Sequence, residues 1–327
     1  MGAKIEAIEY YYPAHKLSNN DLAIEFQDYD FDKFERVVGI QNRYIADSET
    51  SALDLAVKAC RKIFKRHNKE SVDFVLYCTQ SPEFVLPTTA CVLQEKLKLQ
   101  TTIGALDINL GCSGYTYCLS LAKSLIQNKS ASKVLIVTAD TYSKYLGTQD
   151  RVNRSLFGDA ATATLVTYSD TDDIGEFLYG TDGSGADKLI LKNKPKANTT
   201  ADSKSKNNDF LYMDGPAVFD FTQKKIPVFI SDVLKKNNQI KVDQYILHQA
   251  NKMLLELIRK KIKIEKEQFF IDVRDGGNTV SSTIPIALKK YSAAAFKEDS
   301  LPKNALLTGF GVGLSWSGGV VTLRHAL

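Results

Sequence analysis

The sequence predicts an α/β fold made of two similar halves, with layered sheets covered by helices. Three observations carry this. Short apolar runs of strand type alternate with longer runs of helical apolar spacing. Some strand runs, such as Val134–Val137, are apolar at consecutive positions, as expected of strands buried on both faces. The same series of elements also occurs twice, in the same order.

The repeat can be followed element by element. Helical spacing over Ser51–Phe64 has a counterpart in Phe221–Lys236. Residues 72–80, Val-Asp-Phe-Val-Leu-Tyr-Cys-Thr-Gln, match residues 242–250, Val-Asp-Gln-Tyr-Ile-Leu-His-Gln-Ala. Both are short apolar strands entered by Val-Asp and left into a polar turn. Leu106-Asp107-Ile108 is echoed by Ile271-Asp272-Val273, and each is followed by a candidate functional residue, Cys112 or Asn278, and a helix-like run. A further strand, from Lys133, returns from Ala305. The expected division falls near residue 170, with residues 1–170 carrying a nucleophile and residues 171–327 carrying a His and an Asn. Lys188–Asp209 breaks the pattern. It is rich in Lys, Asn and Ser, nearly without apolar residues past Leu191, and reads as a solvated loop.

The 327 residues, 44% hydrophobic and 24% charged, suffice for one large domain or two fused ones. A formal charge of +4 argues against a nucleic-acid binder and leaves room for a local basic patch facing an acidic partner. No apolar run approaches the length of a membrane span, and the N-terminus lacks a signal-peptide pattern, so a cytoplasmic protein is expected. The five cysteines show no metal-ligand spacing. Neither a metal nor a resident cofactor is expected. Cys60, Cys78, Cys91 and Cys118 read as small core residues.

Cys112 is different. An apolar run ends at Gly111, the cysteine follows, and Ser113-Gly114 opens a helix-like segment. A thiol at a helix N-terminus meets unpaired N–H groups and the positive end of the helix dipole, which favours thiolate. Cys112 is therefore the candidate nucleophile. His248 ends an apolar strand and precedes the helix-like run Lys252–Ile262, a position from which Nε2–H can donate to a carbonyl oxygen. Asn278 follows Gly276-Gly277, which permits a tight turn and close approach of a ligand. Its amide can donate to the same oxygen. The turn Gly309-Phe-Gly-Val-Gly-Leu-Ser-Trp316 can bare a backbone N–H toward an oxyanion, or equally bind phosphate.

Together, Cys112, His248-Gln-Ala-Asn251, Gly277-Asn-Thr279, Ile284-Pro285 and Gly309-Phe-Gly-Val-Gly313 resemble β-ketoacyl-acyl-carrier-protein synthase III, of the thiolase superfamily. The likeness runs over nearly the whole chain. Asn278 separates it from elongating condensing enzymes, which use two histidines, and from thiolases, which use a second cysteine. Gln80 stands where a hydroxymethylglutaryl synthase would carry a glutamate. Plant-type polyketide synthases share Cys-His-Asn but lack the His-Gln-Ala-Asn run. The resemblance implies a thiolase-like five-layer αβαβα fold and a homodimer. It implies acyl transfer from a thioester to Cys112, then decarboxylative condensation with a malonyl carrier. The N–H groups of Cys112 and Val312 would hold the tetrahedral oxyanion, and His248 and Asn278 the enolate oxygen. Family members usually have Gly at the position of Val312.

The resemblance further assigns Arg151, Leu86 and Phe219 to substrate binding, and Lys252, Arg259, Lys260 and Lys261 to docking an acyl-carrier protein. In members that use acetyl-coenzyme A, a Trp and an Arg sandwich the adenine. Lys33 and Val37 stand there in this chain, and Phe34 and Arg36 could serve only if the segment slips by one residue. A carrier-bound or unusual acyl donor follows, with acyl-coenzyme A still allowed. Leu86 replaces a gate aromatic of some members and would admit a longer or branched chain. Two other readings stay open: an enzyme of the same fold passing the acyl group to an alcohol or amine, and a non-catalytic carrier-binding subunit.

Overall fold

The computed structural model describes residues 2–193, 210–297 and 301–327. Two sheets organise the chain. The first has five strands in the order Gly2–Tyr11, Ala160–Ser169, Lys133–Asp140, Phe74–Cys78, Gly104–Ile108. The last three are mutually parallel, and the first two are each antiparallel to their neighbours. The second sheet runs Leu178–Thr181, Ser315–Leu323, Lys303–Gly311, Gln244–Leu247, again with antiparallel pairs first and a parallel pair last. Strand for strand, it repeats four of the five places of the first.

The fifth place differs from the sequence expectation. Ile271–Val273, the counterpart of Leu106–Ile108, forms no strand; a single parallel bridge joins Tyr245 to Phe269. The Gln249 side chain takes the place of the ladder. Its amide donates to the carbonyls of Leu247 at 2.6 Å and Phe270 at 3.3 Å, and its oxygen accepts from the Asp272 N–H at 2.7 Å. Backbone groups that would otherwise be orphaned are satisfied by one buried carboxamide.

Burial follows a five-layer order. Between the sheets lie the helices Gly114–Gln127 and Thr283–Ala295. Tyr115, Leu119 and Ile126 of one, with Ile284 and Leu288 of the other, share a core with Ile8, Val134 and Ile136 of the first sheet and Ile246, Leu307 and Val321 of the second. The outer face of the first sheet is covered by Ala52–Ile63 and Thr89–Leu97. The outer face of the second is covered by Gly215–Lys236 and Lys252–Lys261. Local signals explain the helix ends. Ser51 and Asp54 form a capping box on Ala52–Ile63. Gly39, at φ +82°, ends the helix Phe31–Val38.

At the base of the polar excursion, Leu189–Ile190 pairs with Tyr212–Met213. Residues 194–209 of that expected loop lie outside the described residues. Cys91 also departs from expectation. It is exposed, whereas Cys60, Cys78 and Cys118 are buried.

Candidate active site

The strand Gly104–Ile108 leads through a short turn to Cys112, and Ser113 is the N-cap of Gly114–Gln127. Crowding explains the glycines around this turn. A Cβ on Gly311 would lie 2.9 Å from Cys112 Sγ, and one on Gly309 would lie 2.7 Å from the Cys112 carbonyl oxygen. The end of Lys303–Gly311 thus passes directly beneath the nucleophile turn, which only glycine allows. Hydroxyl pairs join the two halves here, Ser113 with Ser315 and Thr116 with Ser317.

His248 extends Gln244–Leu247 by one residue, its N–H donating to Thr308 O at 2.9 Å. Nδ1 lies 2.7 Å from Thr283 Oγ1, and the Phe310 ring meets the imidazole edge-on at 5.6 Å. Asn278 is held through its backbone by Leu156 O and the Gly158 N–H, at 2.9 and 3.0 Å. Gly277 before it adopts φ +62°. The Asn278 side-chain oxygen accepts from the Val280 N–H at 2.9 Å, which leaves its NH₂ free to donate. Val280 sits at φ +55°. For a β-branched residue this left-handed geometry costs on the order of 1–3 kcal/mol, a strain concentrated beside the site.

Cys112, His248 and Asn278 line one cavity of about 450 Å³, together with Phe219, Phe310 and Val312. Half-exposed Val152 and Met253 stand at its mouth. Val312 keeps φ outside the left-handed region, so its side chain brings no backbone strain. A second cavity of about 660 Å³ shares Tyr142, Leu189 and Val312 with the first.

Electrostatics correct one expectation. Burial first, and then the charge of Asp140, push the Cys112 thiol up to about 12; the N–H groups of Cys112 and Val312 pull the other way and lose. The resting group is a thiol. Burial lowers His248 to about 3, so its imidazole is neutral. The two groups lie in the wrong order for a resting thiolate–imidazolium pair. Acylation of Cys112 by a thioester is therefore expected to quicken about tenfold per pH unit between about pH 6 and pH 9, following the thiolate fraction, with no inflection from His248. Single-turnover acylation followed by intact mass checks this, and a plateau above about pH 7 would reveal a thiolate already formed.

Sequence reasoning missed several groups. Asp140 is fully buried and pushed up to about 7 by desolvation. It accepts from the Gln80 and Ser281 N–H groups at 2.8 and 3.3 Å and from the Ser281 hydroxyl, tying the end of Lys133–Asp140 to the Asn278 turn. Thr283 was legible only as part of the hydroxyl-rich run after Asn278.

Comparison with known proteins decides the family. A family model of the 3-oxoacyl-[acyl-carrier-protein] synthase III matches residues 106–183, and one of its C-terminal part matches residues 235–323. The curated β-ketoacyl-[acyl-carrier-protein] synthase III of Clostridium perfringens is 33% identical, over 98% of this chain and 99% of its own. The chain belongs to the synthase III family. Its relative from Clostridium tetani is 34% identical over 95% of both chains. A 2.1 Å crystal structure of a 3-oxoacyl-(acyl-carrier-protein) synthase III superposes with TM-score 0.92 at 40% identity, covering 99% of this chain and 100% of the other. The synthase III structure from Pseudomonas aeruginosa gives 0.87 at 29% identity, covering 100% and 99%. The thiolase-like αβαβα fold with duplicated halves is the fold of this synthase III.

The remaining positions assigned by resemblance are placed as follows. Arg151 does not line the cavity. Its guanidinium stacks 4.1 Å over Tyr29 and reaches Asp28 at 3.7 Å. Phe34 is buried in the core, so the one-residue slip that would free it does not occur. Lys33 and Val37 are exposed. Leu86 is 85% exposed and lines neither cavity, although Val85 and Pro87 beside it line the second. Lys252, Lys260 and Lys261 are exposed on the helix Lys252–Lys261. Arg259 pairs with Glu256 at 2.8 Å and donates to Ile264 O at 2.8 Å. Lys261 also donates to Gln223 O, at 2.8 Å.

Proposed function

We propose that this synthase III makes a 3-oxoacyl-carrier product in two steps, with Cys112, His248 and Asn278 as its catalytic residues. The observation that carries the reading is the sharing of one cavity by the thiol, a neutral imidazole and a carboxamide with free N–H groups. In the first step the Cys112 sulfur attacks a thioester carbonyl. The oxyanion lies against the N–H groups of Cys112 and Val312, and the donor thiol leaves with the proton. In the second step the bond between the malonyl methylene and its carboxylate breaks, and CO₂ departs. The electron pair becomes an enolate whose oxygen accepts from His248 and Asn278. The enolate carbon attacks the acyl carbonyl, and the Cys112 thiolate leaves. An enolate needs neutral donors, since an acidic one would quench the carbanion.

The test is direct. Acyl thioester should add its acyl mass to Cys112, and malonyl-carrier should then release CO₂ in step with product. Acylation without CO₂ release would point instead to transfer onto an alcohol or amine.

A carrier-bound acyl donor fits the segment Lys33–Val37, which offers no exposed aromatic, and an Arg151 already engaged by Tyr29 and Asp28. Comparison of acyl-coenzyme A with acyl-carrier donors decides this, and efficient loading from free coenzyme A thioester overturns it. Carrier docking rests on Lys252, Lys260 and Lys261. Lys260→Glu is expected to raise the KM for carrier about tenfold at low salt, with the gap closing as salt screens the charge. An unchanged KM would make this helix face merely solvated. The consecutive exposed apolar side chains Phe84, Val85 and Leu86 support a homodimer through that side. A division into residues 1–170 and 171–327 fits the change of sheet between the strands Ala160–Ser169 and Leu178–Thr181. No helix among the described residues is long and apolar enough to cross a membrane, and a cytoplasmic setting fits the reaction.

A further inference from the structure

We infer that the Thr283 hydroxyl is a positioning group that fixes which ring nitrogen of His248 carries the proton. The inference rests on the decarboxylating reading above, because only there does the choice of tautomer matter.

A neutral imidazole has one N–H and one lone pair. Donation to an enolate oxygen requires the proton on Nε2. With the proton on Nδ1, Nε2 would present a lone pair to the enolate and repel it. The side-chain hydrogen bond at the other nitrogen sets this choice. Nδ1 lies 2.7 Å from Thr283 Oγ1, and both side chains are buried. Among the described residues, this is the side-chain hydrogen bond made by the ring, and Phe310 packs edge-on against it.

The hydroxyl has a single proton and two acceptors within reach, His248 Nδ1 at 2.7 Å and Val280 O at 3.2 Å. Donation to Val280 O would force Nδ1–H to point back at Oγ1, the unproductive tautomer. The nearer acceptor is Nδ1, and 2.7 Å is a short, strong distance for a hydroxyl donor. On this inference the hydroxyl donates to Nδ1 and leaves Nε2–H as the free donor in the cavity that His248 lines.

The backbone around Thr283 suits this task. Thr283 opens the central helix Thr283–Ala295, and Pro285 lies in its first turn, where a missing N–H costs nothing. The turn before it is pinned by Ser281 on Asp140 and by Ser282 on Thr138. The hydroxyl is thus carried on a segment pinned immediately before it and continued by the helix Thr283–Ala295. It sits five residues after Asn278, so one turn supplies the second enolate donor and the group that orients the first.

Thr283→Val keeps the shape and removes the hydroxyl; Thr283→Ser keeps the hydroxyl. Three readouts on the full chain test the role: CO₂ release from malonyl-carrier, acyl-Cys112 formation by intact mass, and the His248 tautomer from ¹⁵N–¹H correlations of histidine-labelled protein, assigned against His248→Ala. The wild type is expected to show Nε2–H. Thr283→Val should lose decarboxylation about 100-fold, with a far smaller change in acylation and a shift of proton toward Nδ1. Thr283→Ser should restore decarboxylation to within a few-fold and return the Nε2–H signature. The inference is overturned by a wild-type Nδ1–H signature, by full decarboxylation in Thr283→Val, or by equal loss of both half-reactions that serine fails to rescue. A wild-type enzyme that shows Nε2–H, lost in the valine variant, yet releases no CO₂ would uphold the tautomer assignment and remove the condensation reading instead.

Discussion

Cys112→Ala is expected to abolish acyl-enzyme formation and to lower condensation by about four orders of magnitude or more, while malonyl-carrier still loses CO₂. The split follows from how the site is built. The sulfur is the only thiol among the described residues lining the cavity it shares with His248 and Asn278, whereas the enolate donors belong to other elements. His248 extends the strand Gln244–Leu247, and Asn278 sits in the Gly276-Gly277 turn. Neither depends on the sulfur for its position. His248 is oriented by Thr283 and Phe310, and Asn278 by Leu156, Gly158 and Val280. The alanine methyl sits over Gly311, where the turn already tolerates no larger neighbour, so the loss of one sulfur should cost no more than about 1 kcal/mol of stability. Intact mass after incubation with acyl donor should show no adduct, and a CO₂ assay should show a surviving, unproductive decarboxylation. Disappearance of both activities in a folded Cys112→Ala protein would mean that the sulfur takes part in the second step as well.

Much of this arrangement was legible in the sequence because it rests on local signals. Gly111-Cys112-Ser113 announces a nucleophile turn, and the echo of strands announces the duplication. What the sequence did not yield depends on burial and on long-range partners. The expected thiolate at a helix N-terminus left out desolvation, which outweighs the N–H groups of Cys112 and Val312 once Cys112 is only 5% exposed. The missing fifth strand at Ile271–Val273 arises because the Gln249 side chain reaches those backbone groups, and no periodicity encodes that. Asp140, whose role is to hold the Asn278 turn, carries no motif; its meaning comes from Ser281, 141 residues later.

The complementary experiment removes the enolate donors. His248→Ala and Asn278→Ala are each expected to slow decarboxylation by about 10²–10³-fold while leaving the acyl adduct on Cys112 detectable by mass. Each donor contributes to one oxygen, so the double variant should lose less than the product of the two single losses, because the second deletion removes a bond already weakened by the first. The charge state of His248 gives a separate prediction. With its imidazole lowered to about 3 by burial, the donor stays neutral across the working range, and His248 should put no inflection into wild-type decarboxylation between about pH 5 and pH 9. Acylation climbs over much of the same interval as the buried thiol ionises. The two half-reactions therefore diverge with pH: acylation limits turnover at low pH, and the burden shifts to carbon–carbon bond formation as pH rises. A falling limb in decarboxylation near about pH 6.5, the ordinary histidine range, would instead identify an imidazolium donor. That result would require the cavity to admit enough water or anionic substrate to reverse the effect of burial on His248.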